Sequence, residues 1–215
     1  MSQSLLKPIS ARTRKLDLLL AIYITAVVAS ELMGAKTFPL WIFNASVAIF
    51  ALPFTFIIND IVTEVEGKAR AINFMRSTFF ILVLLALFNL LALALPPSTR
   101  AAAFEPAYQE IFGKSLRITL ASLAAFFLAE RLDIAIFSKI RARFKNSGLW
   151  LRSNASNIIS MFADTTIFMF LAFFDGSNTT FVWSLVLPYW GLKCAFSLTQ
   201  TPLTYWGVRW LRQNK

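Results

Sequence analysis

The sequence predicts an all-α, polytopic membrane bundle of six transmembrane helices with both termini cytoplasmic. Three observations carry that expectation. Hydrophobic residues make up 57% of the chain and charged residues 15%, where a soluble domain carries roughly 25% charge. Charge-free intervals of spanning length recur along the chain, and lysine and arginine are distributed unevenly over the connections between them.

The 215 residues are read as a single integral membrane domain over 1–215, with a short cytoplasmic N-terminal segment 1–15 and a C-terminal tail 203–215. Helices are expected near 16–34, 42–63, 76–96, 116–138, 154–174 and 182–201. The second and third rest on Thr37 to Asn59 and Ser77 to Thr99, each 23 residues without a charge, and at about 1.5 Å per residue either crosses about 30 Å of hydrocarbon. The first rests on the shorter run Leu18 to Ser30, bounded by Asp17 and Glu31. The fourth carries Glu130, Arg131 and Asp133 toward its far end, the fifth is interrupted by Asp164, and the sixth by Lys193. Pro96 and Pro97 end the third helix, and the stretch to Lys114 is the longest outer connection. Asp175 to Asn178 forms a short outer turn. The first apolar run does not read as a cleaved secretory signal, since Glu31 and Lys36 follow it without a small-residue cleavage site.

Loop charges support this assignment independently. The four inner segments hold Lys7, Arg12, Arg14 and Lys15; Lys68, Arg70 and Arg76; Lys139, Arg141, Arg143, Lys145 and Arg152; and Arg209, Arg212 and Lys215. The outer side receives only Lys36, Arg100, Lys114 and Arg117. That bias favours an even number of crossings with both termini inside. It also gives the formal net charge of +10 a membrane explanation, so nucleic acid is not an expected partner while membrane lipids are. The chain has no histidine and one cysteine, Cys194. Histidine-ligated zinc, a histidine-based triad, a disulfide framework and a multi-cysteine cluster are therefore excluded. No phosphate-binding loop is present, and no metal or cofactor is expected.

Ionisable residues within apolar helices cost a few kcal/mol each when unpaired, so they are the candidate functional residues. Either they pair to fix the bundle or they line a polar cavity on a substrate path. Asn59, Asp60, Thr63 and Glu64 share one helical face, with Asp60 and Glu64 one turn apart; the alternative for Glu64 is an interfacial pair with Lys68. Asn157, Ser160 and Asp164 recur at helical spacing. Asp164 lies mid-span, beyond the snorkelling reach of so short a side chain, and is either a ligand or a partner of Lys193, itself mid-helix. Glu130 and Asp133 stand one turn apart near the inner end of the fourth helix, serving either function or the basic loop. Glu31 and Lys36 flank Gly34 and Ala35 at the end of the first helix, where either a helix break or a plain interfacial end would suit.

With these residues in view, the chain resembles the queuosine precursor transporter family, also called the putative vitamin uptake transporter family. The resemblance rests on ELMGAKTF from Glu31, FTFIINDIVTEVEGKAR from Phe54, LDIAIF from Leu132, and WLRSNASNIISMFAD from Trp150 with the residues that follow. Lys36, Asp60, Thr63, Glu64, Gly67, Arg70, Asp133, Trp150, Arg152, Ser156 and Asp164 match the family's pattern. Glu66 stands where the family has an aromatic residue, and Met161 where glutamine is common. The resemblance implies a multi-pass bacterial inner-membrane importer of the 7-deazaguanines 7-cyano-7-deazaguanine and 7-aminomethyl-7-deazaguanine; joined to the reading of the polar residues above, it leaves Lys36, Asn59, Asp60, Glu64, Glu130, Asp133, Asn157, Ser160, Asp164 and Lys193 as candidate substrate-binding residues. A guanine-like base presents an N–H and an exocyclic amine side by side to a carboxylate, and its carbonyl wants a donor. The rivals are another vitamin-like heterocycle, with partner subunits supplying energy, an intramembrane enzyme and a purely structural protein. A homo-oligomer is admitted as the assembly.

Overall fold

A computed structural model describes residues 10–40, 43–143, 149–199 and 201–213. The chain is largely helical, with α1 (Ala11–Met33), α2 (Leu52–Glu66), α3 (Lys68–Ala94), α4 (Glu105–Arg143), α5 (Leu149–Phe173), α6 (Thr179–Thr199) and α7 (Thr201–Arg212). Three stretches among the described residues are long and apolar enough to cross a membrane: Ala11–Met33, Val47–Glu66 and Ala69–Ala94. Large apolar side chains such as Leu18, Phe54, Phe80, Phe88, Leu120 and Leu187 are exposed on the helices, where hydrocarbon rather than water is their natural solvent.

The expected second helix over 42–63 is corrected at its start. Thr37–Leu40 (β1) and Phe43–Ser46 (β2) form an antiparallel hairpin with Thr37 opposite Ser46 and Leu40 opposite Phe43. A 3-10 turn, Val47–Phe50, follows, and α2 begins only at Leu52 with Pro53 in its first turn. The reason is local. Ser46 donates to the Gly34 carbonyl at 2.6 Å and accepts from the Ala48 N–H at 3.2 Å, so one hydroxyl ties the hairpin to the end of α1 and caps the next turn. The hairpin sits against α6, where Asn44 donates to Ser184 at 3.2 Å and the Tyr189 hydroxyl donates to the Ser46 carbonyl at 2.8 Å. Ala45 is buried there among Val182, Leu185, Val186 and Met169.

Three further boundaries differ from expectation: α3 starts at Lys68 rather than near 76, so Lys68, Arg70 and Arg76 lie on a helix and not in a connection. α4 starts at Glu105 rather than near 116, absorbing part of the expected outer connection. Pro106 falls in its first turn, where no N–H is needed, and Gln109 donates to both the Leu93 carbonyl and Glu105, at 3.0 and 2.7 Å. At 39 residues α4 runs about 58 Å, longer than a hydrocarbon core. The expected tail over 203–215 instead contains most of α7, whose Val208 and Leu211 are buried with Leu16 and Leu19 of α1 and Ile58, Ile61 and Val62 of α2. The approach is close: a Cβ on Gly207 would lie 2.1 Å from Cδ1 of Ile61.

The same end of the bundle gathers its charges. Arg12 donates to Glu66 at 2.7 Å, Lys15 donates to the Trp210 carbonyl at 2.6 Å and lies over the Trp210 ring, and Arg212 meets Glu64 at 3.3 Å. Glu66, the departure from the family's aromatic residue, is thus the partner of Arg12. Gly67, with φ of 86°, separates α2 from α3; a side chain there would be strained. Leu95 is extended before Pro96, as a residue preceding proline must be. At the turn between α5 and α6, Asp175 accepts from the N–H groups of Ser177 and Asn178, each at 3.0 Å, and these bonds, led by that of Ser177, hold its carboxyl below the usual carboxylate range.

Candidate functional site

Five long helices converge on one cavity of about 280 Å³. Each presents a single stripe to it, as helical periodicity requires. α1 gives Tyr23, Val27, Ser30 and Glu31; α3 gives Met75, Thr78, Phe79 and Leu82; α4 gives Ile118, Ser122, Ala125 and Phe126; α5 gives Asp164, Thr165, Phe168 and Met169; α6 gives Tyr189 and Lys193. Gly34, Ser46, Ala48 and Thr55 complete the wall from the hairpin side. Aromatic rings therefore stand around a set of polar groups that includes two carboxyls and one amine.

The amine and one carboxyl are paired. Lys193 donates to Asp164 at 2.8 Å, with 15% and 33% of their side chains exposed. Partial burial makes the attraction stronger than in water, and the pair joins α5 to α6 at the cavity wall. The second carboxyl has different surroundings. Glu31 is 5% exposed, Ser122 of α4 shares the cavity wall with it, and its Oε2 has no hydrogen-bond partner among the described residues. The backbone beneath it is fixed, because Ser115 donates to the Glu31 carbonyl at 2.9 Å. Thr165 Oγ1, on the same cavity, is likewise buried without a partner.

Of the residues singled out from sequence, Asp164 and Lys193 come together on this cavity. Asp60, Glu64 and Lys36 are exposed and Asn59 is half-buried, and none of the four lines the cavity. Glu64 takes Arg212 of α7 as partner. The helical face shared by Asp60, Thr63 and Glu64 exists as expected, but it is turned outward, while Ile58, Ile61 and Val62 face the core. Glu130 and Asp133 lie on α4, and Asn157 and Ser160 on α5; their side chains fall outside the described residues. Met161, where the family has a frequent glutamine, does not line the cavity.

Sequence reasoning treated Glu31 as a helix-end residue rather than a site residue. A signal was present: Tyr23, Val27 and Glu31 are spaced by four and so form one stripe, with Ser30 beside it. No group of metal-ligating side chains occurs among the described residues.

A family model described as "Putative vitamin uptake transporter" matches residues 46–207. A Bacillus subtilis (strain 168) protein named "Probable queuosine precursor transporter" is 30% identical over 182 residues, covering 84% of this chain and 79% of that protein. No solved structure matches the chain.

Proposed function

The chain belongs to the putative vitamin uptake transporter family, and from that premise we propose that it imports queuosine precursors, 7-cyano-7-deazaguanine and 7-aminomethyl-7-deazaguanine, across the bacterial inner membrane for queuosine salvage. Membership makes it a membrane transport protein rather than an enzyme. The observation that carries the choice of solute is the cavity. Its volume of about 280 Å³ exceeds the roughly 150 Å³ that accommodates a single benzene ring and suits a fused bicyclic heterocycle. Phe79, Phe126 and Phe168 offer faces to a flat ring, and the polar groups suit a base that is donor on one edge and acceptor on another. The Lys193 ammonium carries three donors, of which the Asp164 contact uses one, so it can also serve the base's carbonyl. In this reading Asp164 positions Lys193 and keeps the site's charge balanced.

Transport needs no covalent step. Alternating exposure of this cavity to the two sides suffices, with six crossings and both termini cytoplasmic as the topology that the basic loops favour. In that topology the carboxylates of α2 stand at the cytoplasmic end with Arg12, Lys15 and Arg212.

Uptake of labelled 7-deazaguanines by cells that lack other importers tests the function directly. Expression of this chain should confer saturable uptake of both precursors, and failure to accumulate either one, with the protein present in the membrane, would overturn it. Reporter fusions in the loops at 96–104 and 174–178 should read as external and a fusion after 213 as cytoplasmic; a cytoplasmic signal from the 174–178 loop would remove the last two crossings.

A further inference from the structure

We propose that Glu31 is the specificity-determining residue of this site, the group that reads the adjacent N–H and exocyclic amine of a guanine-like base. The inference rests on the transport reading above and deepens it by assigning the donor edge of the substrate to one carboxylate.

Among the carboxylates named from sequence whose side chains are described, three compete with it for that role. Asp60 and Glu64 do not line the cavity. Asp164 does, but its Oδ2 already accepts from Lys193 at 2.8 Å, so two further donors would have to compete with a cation. Glu31 meets neither obstacle. It lines the cavity, is 95% covered, and its Oε2 has no hydrogen-bond partner among the described residues. A carboxylate has about four lone-pair sites on two oxygens and can accept two donors side by side. Glu31 can take such a side-by-side pair by turning Oε2, which is closed off from solvent, toward the cavity it lines.

The energetics favour a ligand as the missing partner. An unpartnered carboxyl in an apolar interior is costly, and the two buried cavity atoms without partners, Glu31 Oε2 and Thr165 Oγ1, are left so by the fold itself. The neighbouring donors that the described residues supply bond elsewhere. The cation of the site is engaged by Asp164, and the Ser115 hydroxyl is spent on the Glu31 backbone carbonyl. A planar base entering with its donor edge toward α1 would place its ring among Phe79, Phe126 and Phe168. Its carbonyl edge would then be left for Lys193, which lines the same cavity from α6.

The test is a competition series against uptake of labelled 7-cyano-7-deazaguanine, using 7-deazaguanine and 7-deazahypoxanthine, which differ only in the exocyclic amine. The unaltered protein should prefer the amine-bearing ring by roughly 5- to 150-fold, the value of one hydrogen bond to a buried charged acceptor. In Glu31→Gln, whose amide offers one acceptor and one donor, the preference should shrink to about twofold or reverse. Asp164→Asn should weaken both rings and leave their ratio intact. Where a variant no longer transports, ligand-induced thermal stabilisation of the purified protein reads the same ratio. Glu31→Gln with the full preference overturns the assignment, as does loss of the preference in Asp164→Asn but not in Glu31→Gln. Uptake of 7-cyano-7-deazaguanine by the unaltered protein with no preference between the rings also overturns it, yet leaves the transport reading standing. Absence of uptake overturns the transport reading itself.

Discussion

Asp60 and Glu64 on α2 and Glu31 and Asp164 around the cavity are the same kind of side chain in the same kind of helix, yet they meet opposite surroundings. The α2 carboxylates are exposed, and Glu64 is shared with Arg212 of a short helix that packs alongside. The cavity carboxylates are held between long helices, one against an ammonium and one buried with an oxygen that has no partner among the described residues. What separates them is the neighbour on the next helix, not local sequence. Density of charge along one helix therefore marks a polar face, and only the packing of other helices decides whether that face becomes a site or an outer surface.

The sharpest way to break this comparison is at the Asp164 and Lys193 pair. Removing one partner of a buried pair strands the other charge, at a cost of about 3–5 kcal/mol when burial is complete and less here, where Asp164 keeps a third of its side chain exposed. Asp164→Asn and Lys193→Met should each reduce uptake more than about tenfold. The double variant, which strands no charge, should recover membrane abundance without recovering uptake. Recovery of both would make the pair a fastening between α5 and α6 and nothing more.

A smaller effect concerns what keeps the α2 carboxylates outside. Gly207 lets α7 approach Ile61 so closely that an added Cβ would lie 2.1 Å from it, and relieving such overpacking costs about 1–3 kcal/mol. Gly207→Ala should lower the thermal midpoint of the purified protein and disturb the Arg212 to Glu64 contact, while the ratio between amine-bearing and amine-lacking rings stays unchanged. Gly113→Ala on α4, where an added Cβ meets nothing within 4 Å, is the control and should be neutral or slightly stabilising, since alanine favours a helix over glycine by about 1 kcal/mol. Equal losses in the two variants would mean that the Ile61 side chain moves aside for the added Cβ.

These contrasts also show how far residues alone reach. Apolar runs located the long helices, because hydrocarbon thickness fixes a length that composition can reveal. The hairpin over 37–46 was hidden in one such run, since freedom from charge does not distinguish a strand pair from a helix; the informative residue was Ser46, whose hydroxyl bonds to Gly34, twelve positions earlier. Pro106 looked like part of a connection because a proline in the first turn of a helix and a proline in a loop read alike. The pairing of Asp164 with Lys193 was legible, as two opposite charges mid-helix have few other partners. Glu31 was legible only as one position in the stripe of Tyr23 and Val27, because its place on the cavity depends on α4 and α5 bringing Ser122 and Thr165 to the end of α1.

The smallest expected effect tests the outer half of the comparison. Glu64 and Arg212 meet at 3.3 Å with 63% and 58% of their side chains exposed, and pairs of that kind are worth about 0–1 kcal/mol because solvent screens them and the long side chains must be ordered. Glu64→Gln should therefore change uptake by no more than about twofold and leave ring selectivity untouched. Arg212→Gln should behave in the same way, and the double variant should match either single one, since little coupling exists to lose. The contrast with Glu31→Gln is then between two carboxylates of the same chain neutralised by the same substitution, one altering which ring is preferred and the other altering nothing beyond the error of the uptake measurement. If Glu64→Gln instead abolished uptake at normal membrane abundance, the polar face of α2 would have to enter the substrate path in another conformation of the transport cycle, and the cavity described here would be one station of two.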